Sequence, residues 1–216
     1  MSNIKPECLK WHRPLAITAV CGLLAIVLQG CFGMLAGGML AGTFAATDRR
    51  TLGAQVEDKT IVIKGEASIS GVVPAGSHVN VTSFNRKVLL SGEVPDEASR
   101  VTAGRKITDL PNVDSVFNEL VIAGSSSFTS RSSDTLITSK VLASLIDAKD
   151  IYANAFKITT ERGIVYMMGR VTEREGRRGA HIASGVSGVQ KVVTLYEYIS
   201  EEELRQYTQQ PANSAG

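Results

Sequence analysis

Cys31 is the residue whose surroundings promise the most definite chemistry. It closes Leu28-Gln29-Gly30-Cys31, at the end of an apolar run from 15 to 28 that follows Lys5, Lys10 and Arg13. A short basic region ahead of an apolar core is the layout of a secretory signal, and a thiol at its end is a nucleophile available for acylation. Cys8 and Cys21 fall inside that signal. A mature chain starting at Cys31 therefore has no pair to oxidise, and its stability must come from packing. His12, His78 and His181 lie far apart and have no metal-ligand spacing, so no metal and no cofactor are expected. Catalysis has little to work with. Ser125-Ser126-Ser127, Ser130, Ser132 and Ser133 show no histidine or buried acid partner and read as a polar linker. Glu173 and Glu175 could form an acid and base pair, but first-turn acids at a helix N-terminus more often serve the helix dipole. Phosphate loops, CxxC and HExxH are absent, and the chain does not read as an enzyme.

The small Gly30 before Cys31, with Leu28 two positions further back, resembles the lipobox of bacterial lipoproteins. In that motif the thiol is acylated and its amine becomes the new N-terminus. A second apolar run, 32 to 46, leaves open an uncleaved transmembrane helix over 15 to 46. Gly33, Gly37, Gly38 and Gly42 make that run either a segment lying close to the bilayer or a flexible tether. Phe32, in place of an aspartate after the modified cysteine, resembles the class exported to the outer membrane. Without residues 1–30 the chain keeps 20 of its 23 Lys+Arg and 20 of its 21 Asp+Glu. That balance gives no reason to expect nucleic acid, and attraction to an anionic surface must come from local patches.

The remaining chain is duplicated. Lys87-Val88-Leu89-Leu90-Ser91-Gly92-Glu93-Val94 recurs as Ile164-Val165-Tyr166-Met167-Met168-Gly169-Arg170-Val171, at an offset of 77. Asp58, Ile61, Lys64 and Ala67 match Asp134, Ile137, Lys140 and Ala143 at 76. Each copy predicts a hairpin, turning at Asn85-Arg86 and at Arg162-Gly163. Gly92 and Gly169 end the second strands, where lack of a Cβ permits a close backbone approach. Helices should follow, capped by Asp96 and Thr172, then third strands over 113–122 and 189–199. With a leading helix, each module reads α-β-β-α-β, a three-stranded sheet with helices on one face, and the fold class is α+β. In the first copy the leading helix, 58–70, is opposed by β-branched Thr60-Ile61-Val62-Ile63 and by Gly65, each costing from a few tenths to about 1 kcal/mol.

The leading helix of the second copy carries a candidate surface. Ser133 or Asp134 should cap it. At about 100° per residue, Ile137, Val141, Leu145, Leu142 and Ile146 form one broad arc, expected to face the core. Leu136, Lys140 and Ala143 fall on the opposite side, an apolar group beside a cation, as in an interfacial helix. An ordinary exposed leucine, or one covered by the first module, is the plain alternative. Arg170, Arg174, Arg177 and Arg178, with His181, make a second candidate patch for headgroups or an acidic partner. A solvated helix face balanced by Glu173 and Glu175 is the competing reading, and Gly176 and Gly179 weaken that helix.

The order of elements, the V-x-L-x-G-x-V signature at 88–94 and its repeat at 165–171, and Gly188-Val189-Gln190-Lys191-Val192 resemble the BON domain. A tandem pair behind a lipobox is similar to the dual-BON outer-membrane lipoproteins. The likeness covers about residues 48–200 and is strongest in Asp48-Arg49-Arg50-Thr51-Leu52-Gly53 and Val171-Thr172-Glu173-Arg174-Glu175. It implies a signal peptide at 1–30, a lipidated Cys31 and Gly-rich tether at 31–50, BON modules at 51–124 and 133–200, a Ser-rich linker at 125–132 and a tail at 201–216. Disorder is expected beyond about Thr208. The resemblance further implies a non-enzymatic, lipid-anchored, periplasm-facing outer-membrane protein that binds anionic phospholipid through its second module, at Leu136, Lys140, Leu142 and Ala143. It would support envelope integrity, with a role at division sites. The alternative is an adaptor for envelope or division proteins, held on the membrane by Cys31 alone.

Overall fold

Two hairpins, each closed by two residues in the left-handed region, are the frame on which the chain is built. Asn85 and Arg86 have φ of 49° and 66°, and Arg162 and Gly163 have 52° and 73°. Two consecutive positive φ values make the tight turn whose twist suits the flanking strands. The computed structural model describes residues 48–209; the signal, Cys31, the tether up to residue 47 and the tail beyond 209 lie outside the described residues. In order, the elements are α1 (Leu52–Ser70), β1 (His78–Phe84), β2 (Lys87–Val94), α2 (Glu97–Thr108), β3 (Ser115–Asn118), β4 (Val121–Ile122), α3 (Phe128–Asp147), β5 (Phe156–Glu161), β6 (Ile164–Val171), α4 (Glu173–Ser184), β7 (Lys191–Tyr198) and α5 (Glu201–Gln209). In each module the middle strand pairs antiparallel with the strand before it and parallel with the strand after the second helix.

Asp96 and Thr172 cap α2 and α4 as expected, each accepting a backbone N–H of its helix. Gly92 and Gly169 sit where a Cβ would lie 2.1 Å from the His78 carbonyl oxygen and 2.5 Å from that of Ala155, so a side chain at either position would push the hairpin strands apart.

Several expectations are corrected. α1 forms in full and begins six residues earlier than 58, with Thr51 accepting the Ala54 N–H. Its β-branched Ile61 is buried, and a Cβ on Gly65 would stand 3.0 Å from Ile107 and 3.1 Å from Val81. Tertiary packing outweighs weak propensity here. α3 likewise starts at Phe128, capped by Ser127, so the helix takes in residues 128–132 and neither Ser133 nor Asp134 is its cap. The expected third strand of the first copy is divided into β3 and β4, both on β2. The tail itself opens with a helix, α5, in which Leu204 is buried.

The alternation of the strands decides the layers. Val88, Leu90, Val81 and Ile107 join Ile61 and Ile69 in one core, and Val165, Met167, Ile137, Val141 and Leu145 form the second. Side chains of the opposite parity, Phe84, Leu89, Tyr166 and Met168, form a third cluster between the two sheets. The strands are therefore covered on both faces, by helices on one side and by the other module on the other. Thr82 and Thr159, equivalent at the repeat offset of 77, meet at 3.4 Å. Contact between equivalent positions is the mark of a pseudo-two-fold interface.

Candidate functional site

The exposed face of α3 is the first site candidate. Its buried side is Asp134, Ile137, Val141 and Leu145, a row of i, i+3, i+4 spacing. Leu142 and Ile146, expected on the core side, are instead 41% and 67% exposed, and Leu136 and Phe128 are 62% and 79% exposed. The correction has a simple cause: the buried arc of the helix is narrow, Asp134, Ile137, Val141 and Leu145, and both residues fall outside it. Leu136, Leu142, Ile146 and Phe128 thus make an apolar face about five turns long, with Lys140 and Ala143 exposed beside it.

Between α3 and α4 runs an open groove of about 640 Å³ lined by Lys140, Ala143, Arg178, His181, Ile182 and Val186. The fold thus brings one of the four patch arginines, Arg178, to the α3 surface together with His181. Lys140 takes part in no ion pair among the described residues, while Arg178 is tied to Asp150 at 2.9 Å on the rim. The rest of the patch does not converge. Arg170 binds Glu197, Glu203 and the Tyr207 hydroxyl at the base of α5, Arg177 pairs with Glu173 one turn away, and Arg174 reaches Glu201 at 3.6 Å.

Glu175 does not face Glu173 as an acid and base pair would. It is buried, completes a capping box with Thr172, and receives both guanidinium arms of Arg49 at 2.7 and 2.8 Å. Burial raises the Glu175 carboxyl, but the Arg49 hydrogen bond and the Thr172 N–H outweigh it and hold the carboxyl below 4.5. Arg49 thereby ties the start of the described chain to the second module.

The repeat hides another shared device. Asp58 accepts the backbone N–H groups of Asn85 and Arg86, the Ser83 hydroxyl and the Arg50 guanidinium. Asp134 does the same for the N–H groups of Arg162 and Gly163. A carboxylate on each leading helix thus clamps the hairpin turn of its own module. The signal was legible, since both acids hold the same place in the two copies and stand 27 and 28 residues (Asp58) or 28 and 29 residues (Asp134) ahead of the N–H groups they clamp.

Where the sheets meet, the structure collects titratable groups that sequence spacing kept apart. His78 and Glu93 are cross-strand partners, and Glu161 arrives from β5 of the other module. One ligand atom from each lies within 4.8 Å of the others, so among the described residues these three are the group that could hold a metal. Nearby, Asn80 donates to Glu161 and Lys157 donates to the Ser83 carbonyl. Burial pushes the Lys157 amine down, aided by the charge of Arg50, and burial pushes the Tyr166 hydroxyl up to about 12. In both groups burial is the leading cause of the shift.

The BON domain model matches this chain twice, over residues 63–124 and 133–198. Outer membrane lipoprotein DolP of Haemophilus influenzae is 34% identical over 188 residues, covering 86% of this chain and 97% of that protein. The 21 kDa hemolysin of Actinobacillus pleuropneumoniae is 26% identical over 154 residues, 70% of this chain and 79% of its own. CdsD, a structural protein of the type III secretion system of Chlamydia trachomatis, aligns at 10% identity with a TM-score of 0.29, over 70% of this chain and 99% of that one, a likeness too slight to carry an argument. With both modules matched and a relative of that identity spanned almost end to end, the chain belongs to the dual BON-domain outer-membrane lipoproteins.

Proposed function

We propose that the protein is anchored through an acylated Cys31, faces the periplasm, and uses its second module to recognise anionic phospholipid, without catalysing a reaction. The observation that carries this reading is the α3 face: Phe128, Leu136, Leu142 and Ile146 are exposed on the side away from the core beside Lys140 and the groove that holds Arg178 and His181. Burying one such leucine in the acyl boundary contributes about 1.5–3 kcal/mol, and a lysine near an anionic surface about 1 kcal/mol. These contacts are weak beside a multiply acylated anchor. They select which lipids the tethered protein samples, and support of the envelope, including at division sites, follows from that selection. Flotation of an acyl-free chain, residues 47–216, tests the reading. Binding to anionic but not neutral vesicles, weakened by salt and lost in Leu136→Glu, is the expected result. Unchanged flotation of that variant would remove α3 from the site.

A second reading, the adaptor for an envelope or division protein, draws on α1. Leu52, Val56 and Ile63 are 71%, 64% and 68% exposed and fall on one face of that helix. A partner seated there would be captured from envelope extract even by Leu136→Glu, and capture without any vesicle affinity would favour the adaptor.

A further inference from the structure

We propose that His78, Glu93 and Glu161 form a binding site for a divalent cation of the zinc class that bridges the two modules. The ligands come from both: His78 and Glu93 face each other across β1 and β2, and Glu161 ends β5. His78 Nδ1 stands 3.3 Å from Glu93 Oε2. With metal–ligand bonds of about 2.0–2.2 Å, the edge of a tetrahedron is about 3.3–3.6 Å, so this pair is already spaced as two ligands of one ion, and Glu161 needs a small side-chain rotation to complete the third corner.

The independent sign of a missing partner is Glu161 itself. The residue is 6% exposed, its Oε1 accepts from Asn80, and its Oε2 is buried with no hydrogen-bond partner. A buried carboxylate oxygen without a partner is costly, and a cation supplies what the protein does not. The hydroxyl of Ser126, whose N–H reaches Glu93 at 3.2 Å, is also buried and unpartnered. Asn80 and the Ser126 N–H supply the outer hydrogen bonds that orient ligating carboxylates. A cleft of about 360 Å³ lined by His78, Asn80, Thr138, Thr160 and Glu161 opens beside the cluster and provides an entry path.

Ligand chemistry selects the ion. One imidazole and two carboxylates suit zinc or a neighbouring transition metal, whereas magnesium and calcium prefer sites made wholly of oxygen. Arg162 is the competitor: its Nη1 lies 3.5 Å from Glu93 Oε1, and its side chain is 47% exposed. Exposed as it is, Arg162 can turn outward when a cation takes its place against Glu93.

The test is titration of the full chain in detergent with zinc and, separately, with magnesium, read by calorimetry and by the melting midpoint. One equivalent of zinc should bind and raise the midpoint, with no response to magnesium. His78→Gln and Glu161→Gln should each weaken zinc binding by on the order of tenfold or more. Arg162→Gln keeps every ligand and removes the competing charge, so its zinc affinity should be no weaker than that of the parent, a result that a misfolded variant would not show. No uptake, uptake that survives both ligand substitutions, or weaker uptake by Arg162→Gln would overturn the site and reduce the cluster to an ion-pair network.

Discussion

α1 and α3 occupy equivalent places in the two modules and solve the same folding problem, yet they present different surfaces. Their hydroxyl caps, Thr51 and Ser127, their turn-clamping acids, Asp58 and Asp134, and their core residues, Ile61 with Ile69 and Ile137 with Leu145, all correspond at an offset of 76. On the outer face the correspondence breaks. Thr60, Glu66 and Ser70 of α1 stand where α3 has Leu136, Leu142 and Ile146, while Lys64 matches Lys140. The inward side is held by the need to cover a sheet; the outward side is free to diverge, and the exposed apolar residues of the two helices, Leu52, Val56 and Ile63 against Phe128, Leu136, Leu142 and Ile146, coincide only at Leu52 and Phe128.

The inner likeness predicts unequal costs. Asp58→Ala would strand two backbone N–H groups and a hydroxyl and take from Arg50 one of its two carboxylate partners, Asp48 being the other, and should lower unfolding free energy by about 2–4 kcal/mol. Asp134→Ala strands two N–H groups and should cost about 1–3 kcal/mol. Urea denaturation of both variants measures the difference, and equal losses would show that Arg50 adds nothing to the first clamp.

Arg49→Ala should follow at about 3 kcal/mol near neutral pH, because it leaves the Glu175 carboxylate buried without its guanidinium. Glu175 is held below its ordinary 4.5 in the folded protein. The stability it contributes is therefore complete above that value and is lost as pH falls through the depressed one. Melting curves of parent and variant should converge on acidification below 4.5, and a gap that stays constant would assign the effect to packing alone.

The outer difference can be transplanted. Placing Thr60→Leu, Glu66→Leu and Ser70→Ile together on a Leu136→Glu chain should restore part of its flotation with anionic vesicles, an effect on the order of tenfold. No recovery would mean that the groove beside α3, not the apolar row, sets lipid affinity. Gly65→Val, which copies Val141 of the second module into the first, should destabilise by about 1–3 kcal/mol through collision with Ile107 and Val81. The smallest effect belongs to Arg177→Ala. Its pair with Glu173 is exposed, and the loss should not exceed about 0.5 kcal/mol in the same denaturation series.

Residue patterns alone were enough for the duplication, both hairpin turns, the Asp96 and Thr172 caps and the α+β class, because each rests on local chemistry: positive φ at the turns, orphan N–H groups at helix starts, and parity along a strand. The turn clamps of Asp58 and Asp134 were also within reach, as was the pairing of His78 with Glu93, which follows from the turn at Asn85-Arg86. The start of α3 was not, since Ser127 competes with Ser133 and Asp134 for the cap and only the tertiary demand for Asp134 at the hairpin turn settles which serves. Nor was the exposure of Leu142 and Ile146, because a helical wheel shows which residues share a side but not how wide an arc the sheet covers. The meeting of Glu161 with His78 and Glu93 depended on docking of one module against the other. Parity showed that each strand had a second face; only the folded chain decided that this face would be buried against its own repeat, since sheet-to-sheet contact is chosen by shape over many residues and leaves no spacing in the sequence.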